Sequence, residues 1–337
     1  MTSTPTREPD AAVLELEEDR GGFLRGLATS QITGPLAALV LAVVVFALTT
    51  STFFNADNLS LIATQSVVVG TLALGQTLII LTAGIDLANG AIMVLGAVVI
   101  GKLATDGNAL WALVVGALVC VAFGLLNGAL ISSFSLPPFI VTLGVLSVLS
   151  AVARLYTDSQ SYPIDSDLLT ILNQGPTVGG VTITYGVFLW VALTALLGYA
   201  LTQTAWGVRV YAVGDNKRAA ALTGIKVKRV LLSVYITAAV IYAFAAWQAL
   251  GRTPTADPSG YSTANLDSIT AVVIGGTSLF GGRGGVVGTF IGALIVTVLA
   301  NGLTQAGIDS LYQQVATGVL VVIAVAVDHF VRTRQTR

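Results

Sequence analysis

The chain has 337 residues, of which 55% are hydrophobic and only 10% charged, with a formal net charge of −1 and a mean hydropathy of +0.86. A soluble domain carries about 25% charged residues, so a large soluble fold is excluded and a polytopic membrane protein is expected. A single cysteine, Cys120, and a single histidine, His329, exclude a disulfide framework, a metal cluster and any chemistry that needs a His pair.

The first thirty residues are polar, with Glu15, Glu17, Glu18 and Asp19 ahead of Arg20 and Arg25. They lack a short apolar region followed by a small-residue cleavage site, so they read as a polar tail (1–30), not a cleaved leader. Ten apolar runs follow, at 35–52, 59–82, 89–104, 109–131, 138–156, 183–203, 230–250, 267–280, 285–305 and 311–331. They are apolar all round instead of alternating, which points to helices and away from a β-barrel. The expected fold is therefore all-α: about ten transmembrane helices forming one membrane domain (31–331), with a short tail at 332–337. The third and eighth runs are short or glycine-interrupted and read as half-helices or re-entrant segments.

Lysine and arginine set the orientation. With ten spans, thirteen of the sixteen basic residues fall on the side of the termini, leaving only Lys102, Arg154 and Arg252 opposite. Both termini and the 204–229 loop are thus expected in the cytoplasm.

The second and third runs are joined by Gly75–Gly90, which sets Gln76, Gly84, Asp86, Asn89 and Gly90 where a membrane helix should continue. An ionisable residue at the centre of a membrane helix costs roughly 2.5–3.5 kcal/mol on insertion scales and marks a functional candidate. Asp86 reads either as a cap of the third segment at the cytoplasmic face or as a solute contact or gate. Gln65 and Gln76 read as helix–helix hydrogen bonds or as donors lining a path, with Gln76 nearer the path than Asp86. Asn127, Thr142 and Asn301 are further path or gate candidates within apolar runs. Pro137-Pro138 before Thr142 marks a helix start. The run Gly96 to Leu103 approaches a phosphate-binding loop, but Leu103 stands where the metal-binding Ser or Thr is needed, so no nucleotide site is expected.

The 204–229 loop carries a short helix over Asn216–Thr223 ended by Gly224. Further on, Gly275, Gly276, Gly281, Gly282, Gly284 and Gly285 make a second break. Paired breaks in the two halves of a chain point to a transport site between pseudo-repeats, so Gly84, Gly90, Gly275, Gly276, Gly281 and Gly282 are expected hinges. Gly284, Gly288 and Gly292 share a helix face and suit close helix packing.

Four blocks carry a family resemblance: Gly75–Gly90, Gly124–Gly144, Ala212–Ile225 and Ala271–Gly284. Over about residues 35–331 the chain resembles the inner-membrane permease subunits of bacterial ABC importers, in the ribose-type monosaccharide branch of the sugar and branched-chain amino-acid permease family. Ala83 stands where the branch has glycine, and Asn265 where it commonly has Glu. The resemblance implies a non-enzymatic subunit with no cofactor of its own, ATP being bound by partner ATPase subunits. It also implies an extracytoplasmic solute-binding protein, a second permease copy and a lipid surround, with no nucleic acid. Asn216, Ala219, Ala220, Gly224 and Ile225 match the loop on which such ATPases dock. The expected function is import of a monosaccharide or similar polar solute across the inner membrane. An ion-coupled secondary transporter, a channel or scaffold, and an amino-acid or nucleoside permease of the same family are the alternatives.

Overall fold

In a computed structural model the described residues are 32–105 and 107–335; the expected N-terminal tail, and the last two residues of the C-terminal one, lie outside them. The described chain is mostly helical. Six helices are long and apolar enough to cross a bilayer: α2 (Ala56–Leu81), α4 (Ala109–Ser133), α5 (Pro138–Thr157), α7 (Tyr185–Gln203), α10 (Val227–Arg252) and α12 (Val286–Gln305). Shorter apolar helices are α1 (Thr33–Thr49), α3 (Asn89–Ala104) and α11 (Ala264–Ile274). The four-residue α6 (Asp167–Thr170) lies in a connecting segment, and α13 (Ser310–Gln335) runs four residues past the expected end of the membrane domain.

Each of the ten apolar runs falls on a helix, with one boundary notably displaced. The eighth run was expected over 267–280, but α11 spans Ala264–Ile274 and ends at the Gly275-Gly276 pair, where Gly276 adopts φ +85. At 1.5 Å per residue, α11 is about 16 Å long and α3 about 24 Å, both short of the roughly 30 Å hydrocarbon core.

The 204–229 region holds more helix than expected. α8 (Ala205–Asp215) precedes α9 (Lys217–Leu222). Thr204 caps the first by accepting from Gly207 N at 3.3 Å, and Asn216 caps the second by accepting from Arg218 N and Ala219 N, each at 3.0 Å. Gly224, at φ +86, closes α9, with Ile225 N donating to Ala220 O.

At the opposite end two short antiparallel ribbons shape the connections. β1 (Tyr162–Pro163) pairs with β4 (Thr255–Ala256), and β2 (Thr177–Val178) pairs with β3 (Val181–Thr182).

The core is organised around α2, whose residues from Val67 to Leu81 are nearly all buried. Small residues admit large ones: a side chain on Gly70 would strike the Trp190 indole, and one on Gly75 the Tyr242 ring. Lipid and side chains are equally apolar, so such close fits and buried hydrogen bonds, not water exclusion, drive association inside a bilayer. Thr77 Oγ1 and Thr289 Oγ1, 2.7 Å apart, tie α2 to α12. Gly288 and Gly292 let α12 approach α11 so closely that a Cβ on either would run into a backbone carbonyl of Gly275 or Ala271.

Candidate functional site

The first break is a reversal. α2 ends at Leu81, and Ala83 takes the left-handed conformation, φ +58, that turns the chain back. Gly84 N then donates to Ile79 O at 3.0 Å, closing the helix end. Residues 84–88 return alongside α2 before α3 begins.

That returning segment is gripped from several sides. With the Gln76 amide assigned the orientation that satisfies both groups, it brackets Asp86, donating to its backbone carbonyl at 3.0 Å and accepting from its N–H at 3.3 Å. Asp86 Oδ1 accepts from Ala88 N at 2.8 Å, and Oδ2 accepts from Tyr242 Oη on α10 at 3.2 Å. Thr142 Oγ1 on α5 accepts from Leu87 N at 3.1 Å, and the Asn265 amide on α11 donates to Leu87 O at 3.3 Å. Asn89 Nδ2 donates to Ser268 Oγ at 2.7 Å. Gln76, Asp86, Asn89, Thr142 and Ser268 are all buried.

Asp86 lies beside the start of α3, whose N-cap is Ala88, and inside the bundle. Gln76, its partner, lies five residues before Leu81, so the carboxylate is about 7–8 Å inside that end of α2. It also reaches a tyrosine past the middle of α10. A buried carboxylate persists when its oxygens are hydrogen-bonded, and here a backbone amide and a phenol meet that need. Gln76 and Asp86 are direct neighbours.

α3 and α4 run antiparallel, with Cys120 Sγ against Ile92 O and Gly116 against Gly96. Tyr235 packs on Gly124 and Gly128 of α4, on either side of Asn127, with its hydroxyl beside Gly84. Both polar atoms of the Asn127 side chain and the Tyr235 hydroxyl are buried without a partner among the described residues.

Two candidates lie elsewhere. Gln65 is half-buried three turns up α2 and makes no hydrogen bond among the described residues. Asn301 on α12 donates to Asn58 Oδ1 at 2.9 Å, and Gln305 donates to the same oxygen at 2.8 Å. These amides tie the start of α2 to the end of α12, far from the Asp86 knot.

The second break meets the first. Gly276, Gly281, Gly282 and Gly284 all have positive φ, between +73 and +118. Gly282 N donates to Leu81 O at 3.0 Å, and Ser278 N to Arg283 O at 3.1 Å. α8 arrives at the same point: a Cβ on Gly214 would strike Leu81 O, and one on Gly282 would press on Asp215. Tyr211 Oη donates to Gly284 O at 2.9 Å. Burial pushes the Tyr211 phenol above its ordinary pKa, so it remains a donor through the neutral range. Of the expected hinges, Gly84 is not left-handed; the left-handed turn falls on Ala83. Gly90 lies against Ala264–Asn265 and Gly275 against Gly288.

Of the expected docking residues, Asn216, Ala219 and Gly224 are exposed and Ile225 is half-buried. Ala220 points inward at 4% exposure, whereas Leu222, not among the expected docking residues, is 89% exposed. Tyr242, Tyr235, Tyr211 and Leu222 were missed because a lone aromatic or leucine within an apolar run carries no local signal. Only the joint packing of distant helices singles them out.

Residues 58–325 match the family described as branched-chain amino acid transport system / permease component. The chain is 42% identical over 318 residues to the fructose import permease protein of Rhizobium meliloti, covering 91% of this chain and 87% of that one. It is 36% identical over 307 residues to the ribose import permease protein of Bacillus subtilis (88% and 92% covered) and 33% identical over 302 residues to the D-allose transport system permease protein of Escherichia coli K12 (88% and 91%). No solved structure matches.

Proposed function

We infer the role from kinship and geometry together: the chain belongs to the branched-chain amino acid transport system permease-component family, as the membrane-embedded permease subunit of a bacterial ABC importer. In that assignment it is a transporter and not an enzyme, and ATP is handled by a partner ATPase. The solute is a monosaccharide, a choice supported by relatives named for fructose, ribose and allose over nearly the whole chain. Ten spans place both termini and α8–α9 in the cytoplasm, as the distribution of basic residues requires. Two permease copies form the working unit.

The observation that carries the mechanism is the junction of Leu81, Gly214 and Gly282, where α8 meets both glycine-rich breaks. The breaks are mirrored. In the first, the long α2 leads into the short α3; in the second, the short α11 leads into the long α12. A partner ATPase docks on α9, with Leu222 as its apolar contact. Its closure pushes α8 against Leu81 and Gly282, and the two breaks part, so that α2 and α12 shift relative to one another. The Asp86 segment, held by side chains from α2, α5, α10 and α11, carries that shift into the bundle.

Uptake tests this reading. Liposomes holding the chain with its ATPase are loaded with ATP on the α9 side and given binding protein and labelled D-fructose, D-ribose or D-allose on the other. Saturable, ATP-dependent accumulation of at least one sugar is expected. Accumulation by the chain alone under an ion gradient would instead establish the secondary-transport reading.

A further inference from the structure

Two hollows flank Tyr261 at the end of the bundle that carries the β1–β4 ribbon. The first, of about 340 Å³, lies between α3, the end of α10 and the segment after it, and its rim includes Arg252 and Asp257. Sites for small molecules usually span roughly 300–1,000 Å³. The second, of about 110 Å³, lies between α3, α5 and residues 258–265, bordered by Ser150, Arg154 and Asn265. Val94, Gly260 and Tyr261 border both, so the Tyr261 side chain is part of the wall between them.

Tyr261 is unusual in two respects. Its φ is +54, a left-handed conformation that a bulky side chain adopts only when its surroundings impose it. Its hydroxyl is buried with no partner among the described residues, a state that native structures rarely leave without a use. The backbone around it is held firmly. β4 is paired to β1, Gly260 N donates to Asp257 O at 3.2 Å, and Ala264 N donates to Tyr261 O at 3.1 Å. The guanidinium of Arg252 sits 6.0 Å from the centre of the Tyr261 ring. Asp257 Oδ1 accepts from Ser259 N at 2.8 Å, and Oδ2 has no partner among the described residues.

We propose that the first hollow is a receiving site for a neutral polyhydroxylated solute, with Tyr261 as the partition between it and the inner hollow. Such a solute offers an apolar C–H face to an aromatic ring and a rim of hydroxyls that both donate and accept. The Tyr261 ring and hydroxyl, the Arg252 guanidinium and the Asp257 carboxylate supply the matching groups. Arg252 and Asp257 give the rim one charge of each sign, which suits a solute without net charge. Beyond the partition, the inner hollow reaches Gly90 and Asn265, and the Asn265 amide donates to Leu87 O in the buried knot. The site therefore adjoins the element that the ATPase is proposed to move. This rests on the transport reading, but its test is separable from it.

Thr253 is exposed on the rim of the first hollow, and the only cysteine of the chain, Cys120, is fully buried. Thr253→Cys therefore gives a single reporter for a water-soluble methanethiosulfonate reagent. In the assembled complex, excess D-fructose, D-ribose or D-allose is expected to slow its modification at least threefold, and Asp257→Asn in the same chain to abolish that protection. Arg252→Gln and Asp257→Asn are each expected to lower sugar import at least fivefold while the complex still assembles with its ATPase. Absence of protection by all three sugars, or import unchanged by both substitutions, would overturn the site. Protection without import would keep the site and overturn the reading of the transported solute.

Discussion

Asp86 shows how a carboxylate is tolerated inside an apolar bundle. Its two oxygens are taken by Ala88 N and Tyr242 Oη. Removing the carboxylate strands both donors, and each stranded buried group costs about 1–3 kcal/mol. Asp86→Ala is expected to lower the thermal midpoint of the purified complex by several degrees and to abolish import. Asp86→Asn keeps an acceptor for Ala88 N and offers a donor to the Tyr242 oxygen, so it should stay close to the parent. Equal loss in both variants would show that the charge, not the hydrogen bonds, matters. Ala83 is the converse case, a residue in a conformation that suits glycine. Left-handed backbone costs a non-glycine residue roughly 1–2 kcal/mol, and the greater chain entropy of glycine offsets about half of that. Ala83→Gly should therefore stabilise the protein by about 0.5–1 kcal/mol, visible as a raised thermal midpoint. No gain would mean that the turn is not strained.

Among the elements, the apolar runs were legible because every long helix is written as an uninterrupted hydrophobic stretch. The exceptions are instructive. α8 reads as loop because it is only eleven residues long and amphipathic, and its cap, Thr204, resembles any loop threonine. The end of α11 is displaced because apolar residues continue past Gly275-Gly276, and the left-handed φ of Gly276, not a change in polarity, stops the helix. The facing of α9 was also hidden, since about half a turn decides whether Ala220 or Leu222 meets a partner. With Leu222 at 89% exposure and Ala220 at 4%, Leu222→Asp should strip the ATPase from the purified complex without lowering the stability of the permease. Ala220→Glu should instead destabilise the permease itself, because a charge would be forced into a closed contact. Retention of the ATPase by Leu222→Asp would remove α9 as the docking element.

At the scale of the whole molecule, sequence spacing revealed two breaks but not that they touch. Residues 81–84 and 281–284 are two hundred positions apart, yet Gly282 N bonds Leu81 O, and Gly214 of α8 closes the same junction. The site list suffered from the same blindness. Gln76, Asp86, Asn89 and Thr142 converge, whereas Asn301 belongs to an amide cluster at the other end of α2. Polarity within an apolar run flags a residue, but only the fold says with which partner it is buried.

The account turns on α2 and α12 shifting relative to one another when the ATPase closes, and Thr77 and Thr289 allow that to be tested directly. Their hydroxyls are 2.7 Å apart and both side chains are fully buried in regular helix, so Thr77→Cys with Thr289→Cys places two sulfurs within bonding reach. The oxidised pair is predicted to keep its ATPase and lose solute import, with import restored on reduction. Import that proceeds at the parental rate with the two helices verifiably cross-linked would contradict the account.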